Sequence, residues 1–427
     1  MFQGMEDRPS SVLPAAPSVL QEGASSAGTA WRVLAVLSAL MGFASISTDF
    51  YLPAMPAMAA ALHAGHGMLE FSITGYLIGF SVGQLFWGPV SDKFGRRPPV
   101  AAGLVLFIIG SAGCALAASA EAIIGWRVVQ ALGASACVVI ARAMVSDLYE
   151  GARAARMLST LMAVMAIAPL LGPLIGAQVA AWAGWRAIFW LLVAVGIASL
   201  VALYTIPETL PPLRRQGGRL SGAFARYAKL LTERRILAYA GAGGFFYAGM
   251  FAYIAGTPFA YIDYHHFPAR YYGLLFGAGI LGVMASNALN ARLVARLGAD
   301  RLLIAGTTIA ALAGGASAMA AWSDWGGLWG LVLPLFVFIS CTGLIVANSV
   351  AGALAEFSVQ AGAVSALVGA LQYGSGIAGS GLVGLLADGT PRPMGWVMAL
   401  AGIGSLLCAR SLKRVASSQP AQATAVD

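Results

Sequence analysis

Ionisable residues are scarce in this chain of 427 residues. Asp, Glu, Lys and Arg together make up 10% of it, against about 25% in an average soluble protein. Hydrophobic residues reach 59%. This composition excludes an ordinary soluble domain and predicts an integral membrane protein.

Cysteine and histidine are also rare, with 4 residues of each. The cysteines are isolated in apolar stretches, which fits neither a disulfide framework nor a zinc site; they are Cys114, Cys137, Cys341 and Cys408. The histidines form two pairs in separate polar connections, His63 with His66 and His265 with His266. We expect solvated histidines and no metal site.

Motifs of ATP-driven and hydrolytic proteins are missing as well. The chain has no Gly-x-x-x-x-Gly-Lys-Ser/Thr phosphate loop and no His-Glu-x-x-His pair. We therefore expect neither an enzyme nor a cofactor, and no direct coupling to ATP.

Apolar segments of about 20 residues recur along the whole chain, which is the length that a helix needs to cross a membrane. We count twelve and number them as spans 1 to 12. They lie near residues 31–59, 71–91, 100–119, 122–146, 157–181, 187–206, 236–262, 272–294, 302–322, 327–350, 361–386 and 394–411.

A single long polar connection, residues 208–235, separates six spans from six. The predicted organisation is a disordered tail at 1–30, six-helix bundles at 31–207 and 236–412, and a second tail at 413–427. The connection is basic and predicts an amphipathic helix on the inner leaflet, where Lys and Arg gain from anionic lipid. Nucleic-acid binding is the less favoured explanation of its charge.

The basic residues are placed unevenly, although the net charge is +8. With a cytoplasmic N-terminus, every Lys and Arg falls on the inner side except Arg127, Arg186, Arg270 and Arg392. This is the positive-inside pattern, and it predicts that both termini are cytoplasmic.

A short basic turn occurs at the same place in both halves. Residues 88–99 (GPVSDKFGRRPP) join spans 2 and 3, and residues 291–302 (ARLVARLGADRL) join spans 8 and 9. Gly95 corresponds to Gly298, whereas Asp92 corresponds to Ala295. The repeat predicts two bundles related by a pseudo-two-fold axis normal to the membrane.

Three stretches carry a family resemblance. Gly88–Arg97 resembles the signature loop of the major facilitator superfamily, and Arg127–Gly133 (RVVQALG) is similar to a motif of its proton-coupled members. Pro169–Ala177 (PLLGPLIGA) resembles the motif of its drug/proton antiporters. Together with STDFYLPAMP at 47–56, they are similar to the Bcr/CflA (bicyclomycin and chloramphenicol resistance) group over about residues 31–412.

The resemblance implies that the signature loop is a conformational latch between the halves. The implied residues are Gly88, Asp92, Gly95, Arg96 and Arg97, with Asp147 at the inner end of span 4 as a partner of Arg96. The simpler interpretation is that these basic residues only fix the orientation in the membrane.

The resemblance also implies proton coupling through Asp49 and Arg127. An unpaired charged acid within a span raises the free energy of membrane insertion by roughly 2.5 to 3.5 kcal/mol, so its presence requires a specific reason. Reversible protonation would provide one. Alternatively, Asp49 is an acid at an outer helix end and Arg127 snorkels to the interface.

In span 5 the implied antiporter residues are Pro169, Gly172, Pro173 and Gly176, which predict a kink and close helix contact. The alternative is the general abundance of Gly and Pro in membrane helices.

Polar and aromatic residues within the spans are candidates for contact with substrate, although such residues also pack against neighbouring helices. The candidates are Asp49, Tyr51, Gln130, Phe246, Met250, Tyr253, Asn348, Gln372 and Tyr373.

The sequence thus predicts a monomeric inner-membrane exporter of small amphipathic compounds, driven by the proton gradient and surrounded by lipid. The alternatives are a proton-coupled transporter of one metabolite, such as a nucleoside, purine or amino acid, and a membrane protein without transport activity.

Overall fold

The structure is a computed structural model, and it describes residues 26–149, 151–215, 229–356 and 361–418. Helices fill almost all of these residues, and no strand occurs among them. The first half contains spans 1 to 6. They run over Ser26–Asp49 with Met55–Ala61, Glu70–Phe94, Arg97–Leu116, Ala120–Leu148, Gly151–Ala183 and Trp185–Leu203.

The second half contains spans 7 to 12. They run over Arg234–Pro258 with a π-helical turn at Phe259–Tyr264, Ala269–Leu297, Ala299–Ser323, Gly327–Ser340 with Thr342–Glu356, Ala361–Leu385 and Arg392–Ser418. Ten of the described spans are long and apolar enough to cross a membrane. The remaining two, spans 2 and 11, have 25 residues each. The predicted all-α membrane protein of twelve spans is confirmed.

The helix boundaries differ from the predicted ones at the two ends of the chain. Span 1 begins at Ser26, inside the predicted tail, and span 12 continues to Ser418. The stretch Ser26–Ala30 contains no proline, so a helix nucleated by the apolar span extends back through it at little cost. Most of the predicted basic helix of the linker lies outside the described residues, as do residues 1–25 and 419–427.

Glycine allows neighbouring spans to pack with their backbones in contact. A Cβ atom on Gly133 in span 4 would overlap with the carbonyl oxygen of Gly103 in span 3. In span 2, a Cβ on Gly79 would overlap with the carbonyl oxygen of Val128. Because helices in a membrane associate through packing rather than hydrophobic burial, such close approach holds the first bundle together.

The two halves meet at one face of the bundle. We call the face that carries the turns at Gly95 and Gly298 the turn face, and the opposite one the far face. At the far face, the hydroxyls of Thr74 and Ser380 are hydrogen-bonded at 2.9 Å. Nearby, a Cβ on Gly273 would lie 2.7 Å from the backbone nitrogen of Leu174, so spans 5 and 8 are in direct contact.

The turn face is open by comparison. A Cβ on Gly88 would meet no atom within 4 Å, and the Asp92 side chain is 54% exposed. The structure is therefore closed at the far face, whereas the turn-face end of span 2 has open space beside Gly88.

Gly133→Ala is expected to destabilise the first bundle by roughly 1 to 3 kcal/mol, because the new methyl group would force span 3 away from span 4. The measurement is the thermal unfolding midpoint of purified protein in detergent. Gly125→Ala, eight residues earlier in the same helix, is the matched control, since a Cβ there meets nothing within 4 Å. Equal midpoints for the two variants would contradict the packing argument.

Candidate functional site

Span 1 is interrupted at the acid that the sequence singled out. Its helix ends at Asp49, a 3-10 turn follows at Leu52–Ala54, and a new helix begins at Met55. Pro53 has no N–H to donate to the Asp49 carbonyl, so the α-helical ladder cannot continue there. Asp49 thus lies within a discontinuous span, and the residue is only 5% exposed.

Arg127 of span 4 lies beside this interruption and is fully buried. Its guanidinium stacks between two tyrosine rings, 4.4 Å from the centroid of Tyr51 and 4.3 Å from that of Tyr76. Its Nη1 donates to the carbonyl oxygen of Ser47, at 2.7 Å. That carbonyl belongs to the last turn of the helix, where carbonyl groups lack helical partners and attract positive charge. Arg127 does not reach the membrane interface.

A hydrogen-bonded network fixes the position of Arg127. Its Nη1 also donates to Gln130 Oε1 at 2.5 Å, and Gln130 Nε2 donates to Ser111 Oγ at 2.8 Å. On the other side, the hydroxyls of Tyr76 and Ser47 are hydrogen-bonded at 2.5 Å. Both ends of the Gln130 amide are therefore occupied within the first half.

The glycines of the antiporter motif pack against the interruption of span 1. A Cβ on Gly172 would lie 2.9 Å from Cβ of Asp49, and one on Gly176 would overlap with the carbonyl oxygen of Phe50. Only glycine allows span 5 to approach this closely. Asp49 is thus enclosed by spans 1 and 5, and from span 8 Tyr272 lies within electrostatic range of it.

Asp49 and Arg127 are close enough to interact electrostatically, yet no ion pair or hydrogen bond joins them. Nε and Nη2 of Arg127 have no hydrogen-bond partner within the described residues, and the Asp49 carboxylate forms no ion pair there. Two buried groups of opposite charge, each with unused bonding capacity, can pair with each other or release each other as the acid gains or loses a proton.

An aromatic cluster, made of Phe80, Tyr247, Phe251 and Tyr373, joins the halves near mid-depth. The Tyr373 ring lies 5.2 Å from Phe80, 5.7 Å from Tyr247 and 6.2 Å from Phe251. Phe80 in turn stacks on Tyr76 at 6.1 Å. Aromatic faces therefore run continuously from Arg127 in the first half to spans 7 and 11 in the second.

The other candidates for substrate contact have different surroundings. Phe246 is fully buried and stacks on Phe338 at 5.2 Å, and Tyr253 stacks on Phe276 at 5.8 Å. Both rings thus pack between helices of the second half. Met250 is half-buried beside them.

The two amide candidates are buried in the second half. Asn348 Nδ2 donates to Asn290 Oδ1 at 2.6 Å and thereby links span 10 to span 8. Gln372 is 5% exposed, and its Nε2 has no hydrogen-bond partner among the described residues. Of the two, Gln372 has bonding capacity left for another molecule.

The signature loop forms a charge network at the turn face. Arg96 donates from Nε to Asp147 at 2.7 Å and from Nη1 to Asp92 at 2.6 Å. Gly95 adopts φ +91°, a backbone conformation in which any residue with an L side chain would be strained. Arg97, the last latch candidate, donates to the carbonyl oxygen of Tyr204 at 3.3 Å.

Glu208 completes this network from the connection that follows span 6. Its carboxylate accepts the backbone N–H groups of Arg96 at 2.8 Å and Arg97 at 3.0 Å, at the start of span 3. Partial burial alone would raise the pKa of Glu208, but these backbone donors outweigh it and hold the pKa below its ordinary value. The charged carboxylate therefore caps the positive end of span 3.

Residues 36–380 match one protein family, described as the Major Facilitator Superfamily. The chain belongs to this superfamily. The fold agrees: a partially occluded inward-open structure of the xylose transporter XylE from E. coli has a TM-score of 0.71 at 15% identity, covering 94% of this chain and 100% of that one.

Two relatives of this superfamily transporter carry names of resistance proteins. The chloramphenicol resistance protein of Pseudomonas aeruginosa is 32% identical over 391 residues, covering 87% of this chain and 89% of its own length. The bicyclomycin resistance protein homolog of Haemophilus influenzae is 28% identical over 375 residues, covering 88% and 93%. The resemblance to the bicyclomycin and chloramphenicol resistance group is confirmed.

Several residues of this site were not expected from the sequence of the transporter. Tyr76, Phe80, Tyr247 and Phe251 are absent from the predicted set, although each pair is spaced by four residues and so shares a helix face. That spacing is the signal that could have found them. Glu208 gave no comparable signal, because its partners are more than a hundred residues away.

Asp147→Asn is expected to lower the thermal unfolding midpoint clearly, because Asp147 is only 17% exposed and its loss leaves the buried Arg96 short of a charged partner. Asp92→Asn is the matched control. Its side chain is 54% exposed, so its pair with the same arginine is worth roughly 0 to 1 kcal/mol. A larger loss for Asp92→Asn than for Asp147→Asn in detergent would contradict this assignment.

Proposed function

We propose that this transporter exports small amphipathic compounds in exchange for protons across a bacterial inner membrane. The observation that carries the proposal is the buried, unpaired Asp49 next to Arg127, at an interruption of span 1 closed by the antiporter-motif glycines. The distribution of Lys and Arg supports a cytoplasmic turn face and cytoplasmic termini.

The structure then corresponds to an inward-facing state. The halves touch at the far face, through Thr74 with Ser380 and through spans 5 and 8, and that face is the outer one under this orientation. Transport requires these contacts to break while the turn face closes, which is the rocking of two repeats about a central site.

Proton and substrate compete through Asp49 in this proposal. When the acid is protonated, Asp49 is neutral and Arg127 keeps its contacts with Ser47, Gln130 and the tyrosine rings. When Asp49 loses its proton, the carboxylate attracts the unused N–H groups of Arg127 or a positive group on the substrate. Because each protonation state favours a different set of contacts, a proton gradient can bias the facing of the cavity.

The aromatic cluster supports the class of substrate. It provides flat apolar faces with few fixed polar groups, through Phe80, Tyr247, Phe251 and Tyr373, and Tyr76 beside it adds another ring. Such surfaces accept compounds of varied shape. The names of the relatives point to chloramphenicol-like and bicyclomycin-like compounds as the first substrates to test. A panel in proteoliposomes that includes nucleosides, purines and amino acids tests the single-metabolite alternative. We propose that the substrate crosses unchanged, without catalysis.

Asp49→Asn is expected to abolish accumulation of substrate against its gradient, because an amide cannot exchange a proton. Downhill movement of a neutral substrate should persist, since the amide resembles the protonated acid in size and charge. The measurement is substrate uptake into proteoliposomes with and without an imposed proton gradient.

Thr48→Val is the neighbouring control for Asp49→Asn, because it removes a hydroxyl next to Asp49 without changing an ionisable group; that hydroxyl donates to the carbonyl of Ala44 in its own helix, at 2.8 Å. It should keep uphill transport. Uphill transport by Asp49→Asn at the wild-type rate would place the proton site elsewhere.

A disulfide across the far face is expected to lock the inward-facing state. In the double variant Thr74→Cys/Ser380→Cys, the two sulfurs would replace hydroxyl oxygens that lie 2.9 Å apart, within reach of disulfide geometry. Oxidation should stop transport, and reduction should restore it. Each single cysteine variant is a control and should be insensitive to oxidant. Full transport by the oxidised, cross-linked protein would contradict alternating access through this face.

A further inference from the structure

A cavity of about 500 Å³ lies at the far face, where the two halves meet. Its wall comes from the connection after span 1, the start of span 2, the end of span 7 and the connection between spans 11 and 12. A volume of this order is typical of sites for small organic ligands. The cavity is lined by neither Asp49 nor Arg127, so it is separate from the site described above.

The charged groups of this wall are acids and imidazoles. Glu70 comes from the first half and Asp263 from the second, and the two carboxylates are close enough to repel each other. His63 and His66 belong to the same wall, and both are exposed to solvent. No Lys or Arg is among the described residues that line it. The cavity therefore attracts positive charge.

One carboxylate oxygen of Glu70 lacks a hydrogen-bond partner in this wall. The residue is only 5% exposed, and its Oε2 is buried without a hydrogen bond within the described chain. Its position in the first turn of span 2 provides a favourable helix dipole, but a dipole does not satisfy a buried oxygen. A buried carboxylate oxygen of this kind calls for a donor from outside the chain.

The remainder of the wall is largely apolar. Phe259, Val383 and Met394 contribute side chains from the second half, and Pro56 contributes from the first. A phenyl ring at 259 also attracts cations through its face. The wall thus combines two acids with an apolar surface, which suits an amine carried on a small hydrophobic body.

We propose that this cavity binds a small organic monocation, whose ammonium group pairs with Glu70 and Asp263 and whose apolar part contacts Phe259 and Met394. Because the ligand contacts both halves, it binds best while the far face is closed and stabilises that state. Binding itself does not depend on the proposed export function. Inhibition of transport from the outer side is the further consequence.

The probes are 2-phenylethylamine, which is a cation at neutral pH, and 2-phenylethanol, its neutral counterpart of similar shape. Each is titrated into the purified full chain in detergent and followed by calorimetry. The amine is expected to bind roughly tenfold or more tightly than the alcohol, since a charge-assisted hydrogen bond distinguishes them. Equal affinities, or no binding of the amine, would overturn the proposal.

Three variants locate the binding. Glu70→Gln should lower the affinity for the amine roughly tenfold and leave the affinity for the alcohol unchanged. Ala60→Phe, on the exposed rim of the wall, keeps both acids and should exclude both probes by filling the cavity. Asp49→Asn leaves this cavity unchanged, and it tests whether the amine binds at the central site instead.

The outcomes separate this site from the central one. Loss of amine binding in Asp49→Asn would assign the amine to the central site, and unchanged binding in Ala60→Phe would exclude this cavity; either result overturns the proposal. If Glu70→Gln fails to fold, Ala60→Phe decides alone. Because the readout is binding, failure of the export proposal would leave these results unaffected.

Discussion

The burial of the Arg127 guanidinium is the constraint around which the first half is organised. A full positive charge inside a membrane protein is expensive, and no carboxylate among the described residues forms an ion pair with this one. Two tyrosine faces, the Ser47 carbonyl and the Gln130 amide offset part of that cost. The Ser47 carbonyl belongs to a helix end, so satisfying Arg127 and interrupting span 1 are parts of one arrangement. An intact helix would have used that carbonyl.

The interruption in turn demands glycine in span 5. Gly172 and Gly176 allow span 5 to close over Asp49 and Phe50. The central ionisable pair therefore lies in the first half. The second half presents neutral groups, the Asn290–Asn348 pair towards the turn face and the aromatic rings around Tyr373 near mid-depth. Under the proposed function, the ionisable pair belongs to the first half, whereas both halves contribute to the aromatic surface.

The sequence predicts the twelve spans well, because each is a long apolar run that nothing soluble would tolerate. It also locates Asp49, Arg127 and the motif glycines, since a charge or a glycine cluster within such a run is conspicuous. It does not predict Tyr76 beside Arg127, Ser111 beside Gln130 or Glu208 beside Arg96, because those contacts join distant parts of the chain and involve common residues. The candidates for substrate contact differ in their positions: Tyr373 lies between the halves, whereas Phe246 and Tyr253 stack within one bundle. A helical stripe does not reveal which neighbour it faces.

The two faces of the molecule differ in how they are held together, and this difference explains how the facing can reverse. Arg96, Asp147 and Glu208 all belong to the first half, so their network moves as one body and survives the rocking motion. Among the described residues, the far-face contacts include spans 5 and 8 packed at glycine and the Thr74–Ser380 hydroxyl pair, whose hydrogen bond is worth little in net free energy. Asp92 and Gly88 are the parts of the signature loop still open to a partner. Interactions that form at Asp92 and Gly88 when the turn face closes can therefore balance those that break at the far face. The two states then differ little in free energy, so that binding or release of one proton can decide between them.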